Sequence, residues 1–267
     1  MPDLPQAWRD GFDEVAELYD RVLPGYPDDL FDELATVLPR SPVVVEVGPG
    51  TGQATKGLVA RGARVTAVEL GAHLAAVLAR NLPTVDIVVG PFETVDLAPS
   101  SFDLAPSSFD AVVAASSYHW VPAEARMTKP AALLRPGGHL ALIAINHVAS
   151  PADRGFFDEV HHVFSRHGLP RTHDPVPTHE ELVPQFVHEI VASPEFAEPS
   201  IHRYRWDQRY TAREYTELKR TDSNSRAMAD PEACEAMLAE VEALIEARYD
   251  GWIVRPVTAS LVLARRL

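Results

Sequence analysis

Three glycines at alternate positions, Gly48, Gly50 and Gly52, follow an apolar run from Val43 to Val47 that carries one acid, Glu46. Residues without a Cβ let a turn take φ > 0 and let a ligand lie against the backbone. The stretch after the turn suits a helix as far as Gly62, where a glycine stop belongs. The start of such a helix presents unpaired N–H groups and a partial positive charge to an anionic group. A second acid, Glu69, ends the next apolar run. A carboxylate in that place accepts both hydroxyls of an adenosine ribose. The chemistry implied is the binding of a nucleotide-like molecule. A bare structural turn is the lesser reading once strand, turn, helix and acid coincide.

Such a corner needs a sheet edge to carry it. Short apolar runs alternate with helical stretches, which predicts parallel strands over 43–47, 64–70, 85–89, 111–115 and 139–145. Helices are expected over 71–81 and from the end of the fourth strand to about Leu134. Arg135-Pro136-Gly137-Gly138 reads as a tight turn into the fifth strand. Ahead of the corner, Phe12, Val15, Ala16, Tyr19, Val22 and Leu23 recur at helical spacing, as do Leu30, Phe31, Leu34, Val37 and Leu38.

The later chain changes character. Ser200–Tyr210 and Trp252–Leu263 read as strands that return to the same sheet. Thr211 with Glu214 makes a capping box, and Asp230 with Pro231 opens another helix. The fold class is α/β, a Rossmann-like doubly wound sheet under a helical cap. The expected organisation is one domain over 1–267. Its core is 40–147 plus the late strands, about 200–210 and 252–264. Its cap comes from 10–38 and about 150–250.

Composition narrows the partners. A net charge of −14 argues against a nucleic-acid backbone and against anionic membrane surfaces. The single cysteine, Cys234, excludes an internal disulfide and fits a reducing compartment. No apolar run approaches membrane-spanning length, and Met1 to Asp10 lacks a basic-then-apolar leader pattern. A cytoplasmic location is the expectation, and oligomeric state is silent. Leu97-Ala-Pro-Ser-Ser-Phe-Asp103 repeats at once as residues 104–110, which reads as a local duplication lengthening a loop. His161, His162, His167, His173, His179 and His188 fit no zinc spacing, so no metal is expected. Arg203, Arg205 and Arg209 alternate on one strand face. They read as a solvated edge, with a carboxylate substrate as the second reading.

The glycine spacing separates two cofactor families. A dinucleotide fingerprint wants G-x-G-x-x-G, whereas Glu46-x-Gly48-x-Gly50-x-Gly52 resembles motif I of the class I S-adenosylmethionine-dependent methyltransferases. Gly90-Pro-Phe-Glu93, Ser108 to Val113 running into Ser116-Ser-Tyr-His-Trp120, and Leu133-Leu-Arg-Pro-Gly-Gly138 are similar to further elements of that family. The resemblance covers about residues 10–147. Tyr118-His119-Trp120 and the Phe-Asp-x-Val-Ala-x-x-Tyr-Asp pattern of the first helix resemble the small-molecule branch that includes trans-aconitate methyltransferase.

The resemblance implies a seven-stranded, mostly parallel sheet with one antiparallel strand, and S-adenosylmethionine as cofactor. By the same token Glu46 orients the loop and faces the sulfonium. The three glycines, with Pro49 and Thr51 between them, admit the methionine part. Tyr19 closes over its carboxylate or simply packs. Glu69 and Leu70 meet the ribose, and Phe92 and Glu93 the adenine. Ser116 and Tyr118 stand beside the methyl group. His119 is the candidate base, with hydrogen bonding to the acceptor as its equal alternative. Tyr26 and Trp120 wall the pocket of a small-molecule acceptor. The alternatives are an NAD(P)-dependent oxidoreductase and a non-catalytic S-adenosylmethionine-binding protein.

Overall fold

The computed structural model describes residues 13–97, 107–169, 176–226, 228 and 230–267. Phe12, His173 and most of the tandem repeat (98–106) lie outside the described residues. The first half of the chain runs α1 (Ala16–Val22), α2 (Asp28–Thr36), β1 (Val43–Val47), α3 (Thr55–Ala60), β2 (Arg64–Glu69), α4 (Ala72–Asn81), β3 (Asp86–Val89) and β4 (Phe109–Ala115). Then follow α5 (Ala123–Arg126), α6 (Thr128–Leu133), β5 (Leu134–His147), α7 (Phe156–Arg166) and α8 (Val187–Ala192). The chain closes with β6 (Ser200–Thr211), α9 (Ala212–Arg220), α10 (Ser223–Arg226), α11 (Pro231–Arg248) and β7 (Trp252–Arg265).

The seven strands form one sheet in the order β3-β2-β1-β4-β5-β7-β6. Pairing is parallel from β3 through β5. β7 alone runs antiparallel to its neighbours β5 and β6. The expected Rossmann-like architecture is present. Parallel strands are covered on both faces, so they need apolar residues on both sides. Val45, Val47, Val112 and Ala114 face one apolar layer, and Val44, Ala111 and Val113 the other. Leu30, Phe31 and Leu34 bring α2 into that second layer. A third cluster joins α7, α9 and α11 through Phe156, Val160, Tyr215, Leu218, Met237, Val241 and Ile245. It stands over the edge of the sheet where the parallel strands end.

Two local expectations change. The helix predicted from β4 to Leu134 is broken into a 3₁₀ turn (Tyr118–Trp120), α5 and α6. Two prolines are the cause: Pro122 holds the preceding Val121 in the extended region, and Pro130 has no N–H for the Arg126 carbonyl and crowds that position with its ring. The Tyr118 hydroxyl donates to the Arg126 carbonyl instead. The Arg135–Gly138 turn proves to be a bulge inside β5, where the register jumps between the pairs Phe109–Leu134 and Ala111–His139. Extra residues in one strand of a pair bend it and raise its twist. Both late helix starts are as expected. Thr211 and Glu214 close the capping box, and the Asp230 side chain accepts from the Glu232 N–H.

Candidate active site

The order of the sheet reverses direction between β1 and β4. In open α/β sheets the crevice at that point, beyond the carboxyl ends of the strands, takes the ligand. A cavity of about 790 Å³ lies there, walled on one side by the core and on the other by the cap. The corner after β1 borders it through Gly48 and Gly50. Both take positive φ, +62° and +61°. Each also has a neighbour where a Cβ would stand. At Gly48 that neighbour is Ser117 Cβ at 2.7 Å, and at Gly50 it is the Tyr19 ring at 3.2 Å. Gly48 therefore admits the β4 loop, whose Ser117 hydroxyl donates to the Val47 carbonyl. Gly50 admits Tyr19, which itself lines the cavity. Gly52 does not border the cavity; a Cβ there would meet Leu78 Cδ1 at 2.8 Å. Pro49 and Thr51 are buried behind the loop and also stay off the cavity wall.

Glu69 is on the wall, 6% exposed, at the end of β2. The Gly50 N–H donates to its Oε2 and the Gly71 N–H to its Oε1, each at 2.9 Å. Burial raises its pKa, and the backbone N–H groups of Gly71 and Gly50 pull it back. This carboxylate ties the glycine corner to the start of α4. It also corrects the expectation of an anion site at the helix start. Helix α3 begins only at Thr55, and the Gly50 N–H is already committed to Glu69.

Glu46 is also placed differently from the expectation. It is fully buried, stands off the cavity wall, and neither carboxylate oxygen has a hydrogen-bond partner. Burial pushes its pKa up to about 7, against a partial offset from the facing Thr55 hydroxyl. Thr55 Oγ1 and the carboxylate do not close a hydrogen bond of ordinary geometry, since both remain without partners. Tyr26 too stands behind the wall. Its hydroxyl donates to Ser116 Oγ at 3.2 Å, and its ring meets Phe31 edge-on. Ser116 lines the cavity from a left-handed conformation, φ +57°, that a non-glycine residue seldom adopts. Tyr118 points into the core, 3% exposed and edge-on to Phe186, so it is not beside the cavity over the corner.

The other expected residues do reach the wall. Leu70, Phe92 and Glu93 line it at the ends of β2 and β3, and His119 and Trp120 at the end of β4. The two rings of His119 and Trp120 are 4.7 Å apart. Burial, and next the charge of Arg126, push the His119 pKa down to about 4. His119 is therefore neutral at physiological pH and a weak base.

The cap side of the wall was not foreseen. It includes His147, His161, Lys219, Asp222 and Arg255. His147 Nδ1 lies 3.1 Å from the Pro256 carbonyl, which makes it the protonated nitrogen, and its ring stacks on Phe157. The expected arginine stripe of β6 is not on the wall. Arg203 donates to the Leu182 carbonyl, Arg205 donates to Ser150 Oγ, and Arg209 lies 3.8 Å over the Trp252 ring. Among the described residues no cluster of His, Cys, Asp or Glu could hold a metal ion. No helix among them is long and apolar enough to cross a membrane.

The sheet order, its single antiparallel strand and the glycine corner at the switch point define a class I methyltransferase fold. Residues 45–142 match the family described as a methyltransferase domain. An uncharacterized methyltransferase of Mycobacterium tuberculosis is 33% identical over 132 residues, 49% of this chain and 51% of that protein. The chain thus spans about half the length of the curated relatives it matches. Among solved structures, a protein of Anaeromyxobacter dehalogenans provisionally named a type II methyltransferase aligns with a TM-score of 0.63 at 24% identity. That alignment covers 91% of this chain and 97% of the other. The phosphoethanolamine N-methyltransferase 2 of Haemonchus contortus, solved with S-adenosylhomocysteine, aligns with a TM-score of 0.53 at 15% identity. It covers 99% of this chain and 61% of that one. At these identities the structural likeness is one of fold.

Proposed function

We propose that this protein transfers a methyl group from S-adenosylmethionine to a small-molecule acceptor. One observation carries the reading: a single cavity joins the glycine corner and Glu69 to a chamber roofed by the cap. The wall fits the cofactor. Gly50 leaves space beside Tyr19, Glu69 offers a carboxylate at ribose height, and Phe92 and Glu93 stand where an adenine would lie. When bound, the cofactor supplies an electrophilic methyl on a sulfonium, so the protein's task is alignment and exclusion of water. Tyr19 and the corner would hold the methionine end. Glu69 would accept from the ribose while keeping the corner in place. Ser116, His119 and Trp120 would border the transferred methyl.

Neutral His119 would accept a hydrogen bond from the acceptor rather than carry its proton away. The lone cysteine and acidic surface support a cytoplasmic setting and speak against nucleic acid or anionic membrane as the acceptor. The oxidoreductase alternative predicts binding of NAD(H). Calorimetric titration with S-adenosylhomocysteine and with NADH separates the two, and transfer of labelled methyl to a metabolite panel separates an enzyme from a passive binder.

A further inference from the structure

The end of the cavity under the cap carries charged groups that methyl-donor binding leaves unused. Arg255 stands on β7, next to Pro256, whose carbonyl faces His147 at the end of β5. It therefore projects past the parallel strands into the cap. Lys219 Nζ lies 2.6 Å from Asp222 Oδ2, and Asp222 Oδ1 accepts from the Asn224 N–H at 2.8 Å. Lys219 is only 15% exposed at its side chain, and all three charged residues line the cavity. Arg255 has no ion pair with a carboxylate among the described residues. Its close partner is the Tyr210 hydroxyl, and its charge also reaches Tyr215 and Asp222. Among the described residues, two cations against one anion leave this end with one net positive charge, inside a chain whose net charge is −14.

A partly buried cation without an anionic partner is costly unless a ligand completes it. Apolar and aromatic residues line the same cavity, among them Phe157, Phe164, Leu218 and Trp120. We propose that this end of the cavity receives an acceptor with one carboxylate on an apolar, ring-sized body, anchored by Arg255. The proposal rests on the methyl-donor reading of the corner, which occupies the other half of the same cavity. A guanidinium presents paired donors that match a carboxylate. One net charge matches a monocarboxylate. A phosphate monoester carries about −1.5 to −2 at neutral pH and would exceed it, as would a polycarboxylate.

The test is calorimetry on the whole chain saturated with S-adenosylhomocysteine, with four probes: phenylacetate, 2-phenylethanol, phenyl phosphate and citrate. Phenylacetate is expected to bind at least about tenfold tighter than each of the others. Arg255→Gln should weaken phenylacetate by at least about tenfold and leave S-adenosylhomocysteine within about twofold. Asp222→Asn, which leaves two positive charges, should turn the preference toward phenyl phosphate. The proposal is overturned if phenylacetate does not bind, if 2-phenylethanol binds as well, or if Arg255→Gln binds phenylacetate unchanged. The wild-type comparison of the four probes decides even where Arg255→Gln fails to fold. Loss of S-adenosylhomocysteine binding in the wild type would instead refute the corner. Phenylacetate titrated alone would then still decide the anion site.

Discussion

Replacing Glu46 with glutamine should stabilise the protein at about pH 8 and leave it unchanged at about pH 4. The carboxyl is fully buried, and neither oxygen has a partner. Its ionised form is therefore the costly one, and burial pushes its pKa from 4.5 up to about 7. Between those two values the folded state holds a proton that the unfolded chain has released. Stability from this group is complete below the unfolded pKa and falls as pH rises to about 7. At about 1.4 kcal/mol per pH unit, the loss amounts to about 3 kcal/mol. Glutamine stands in for the protonated acid at every pH and avoids that loss. Urea unfolding at a series of pH values, with constant m, gives the difference between the two proteins directly. The difference should be near zero in acid and approach about 3 kcal/mol in favour of the variant above neutrality. Titration of Glu69 is common to both and largely cancels. Parallel stability curves, or a variant weaker than wild type at about pH 8, would refute a buried, unpartnered Glu46.

Three other outcomes are expected. Gly50→Val places a branched side chain at φ +61°, against the Tyr19 ring; S-adenosylhomocysteine binding should vanish in calorimetry while the fold persists by circular dichroism. Glu69→Gln leaves one of the two N–H groups of Gly50 and Gly71 facing an NH₂ group; it should lower cofactor affinity by about 1.5–3 kcal/mol, and an unchanged dissociation constant would remove Glu69 from the ribose. His119→Asn should reduce turnover by less than about tenfold, because a histidine held near pKa 4 is a poor base. A loss of about a hundredfold or more, with a pH limb that disappears, would restore His119 as the base.

The glycine corner was legible because its signal is local. Strand, glycines and acid follow one another within a few residues, and a second acid, Glu69, ends the next strand. What each glycine is for was not legible. Gly48 makes room for Ser117 and Gly52 for Leu78, partners that only the folded sheet brings near. The family resemblance implied a ligand-facing role for Glu46, but strand alternation turns it to the face opposite Val45 and Val47, and it is fully buried off the cavity wall. Tyr118 was drawn into the core by a carbonyl that Pro130 left open, a tertiary consequence of a single ring. The charged end of the cavity was the least visible. Lys219 and Asp222 lie at and just past the end of α9 and Arg255 on β7, and together they carry no motif. The arginine stripe of β6, which had a clear period, turned out to be engaged with backbone, Ser150 and Trp252.

The most direct test of the account is paired calorimetry on the wild-type protein, with S-adenosylhomocysteine in one titration and NADH in the other. The account predicts saturable one-to-one binding of S-adenosylhomocysteine, lost in Gly50→Val, and no binding of NADH. Binding of NADH without S-adenosylhomocysteine, or S-adenosylhomocysteine binding that survives Gly50→Val, would contradict it.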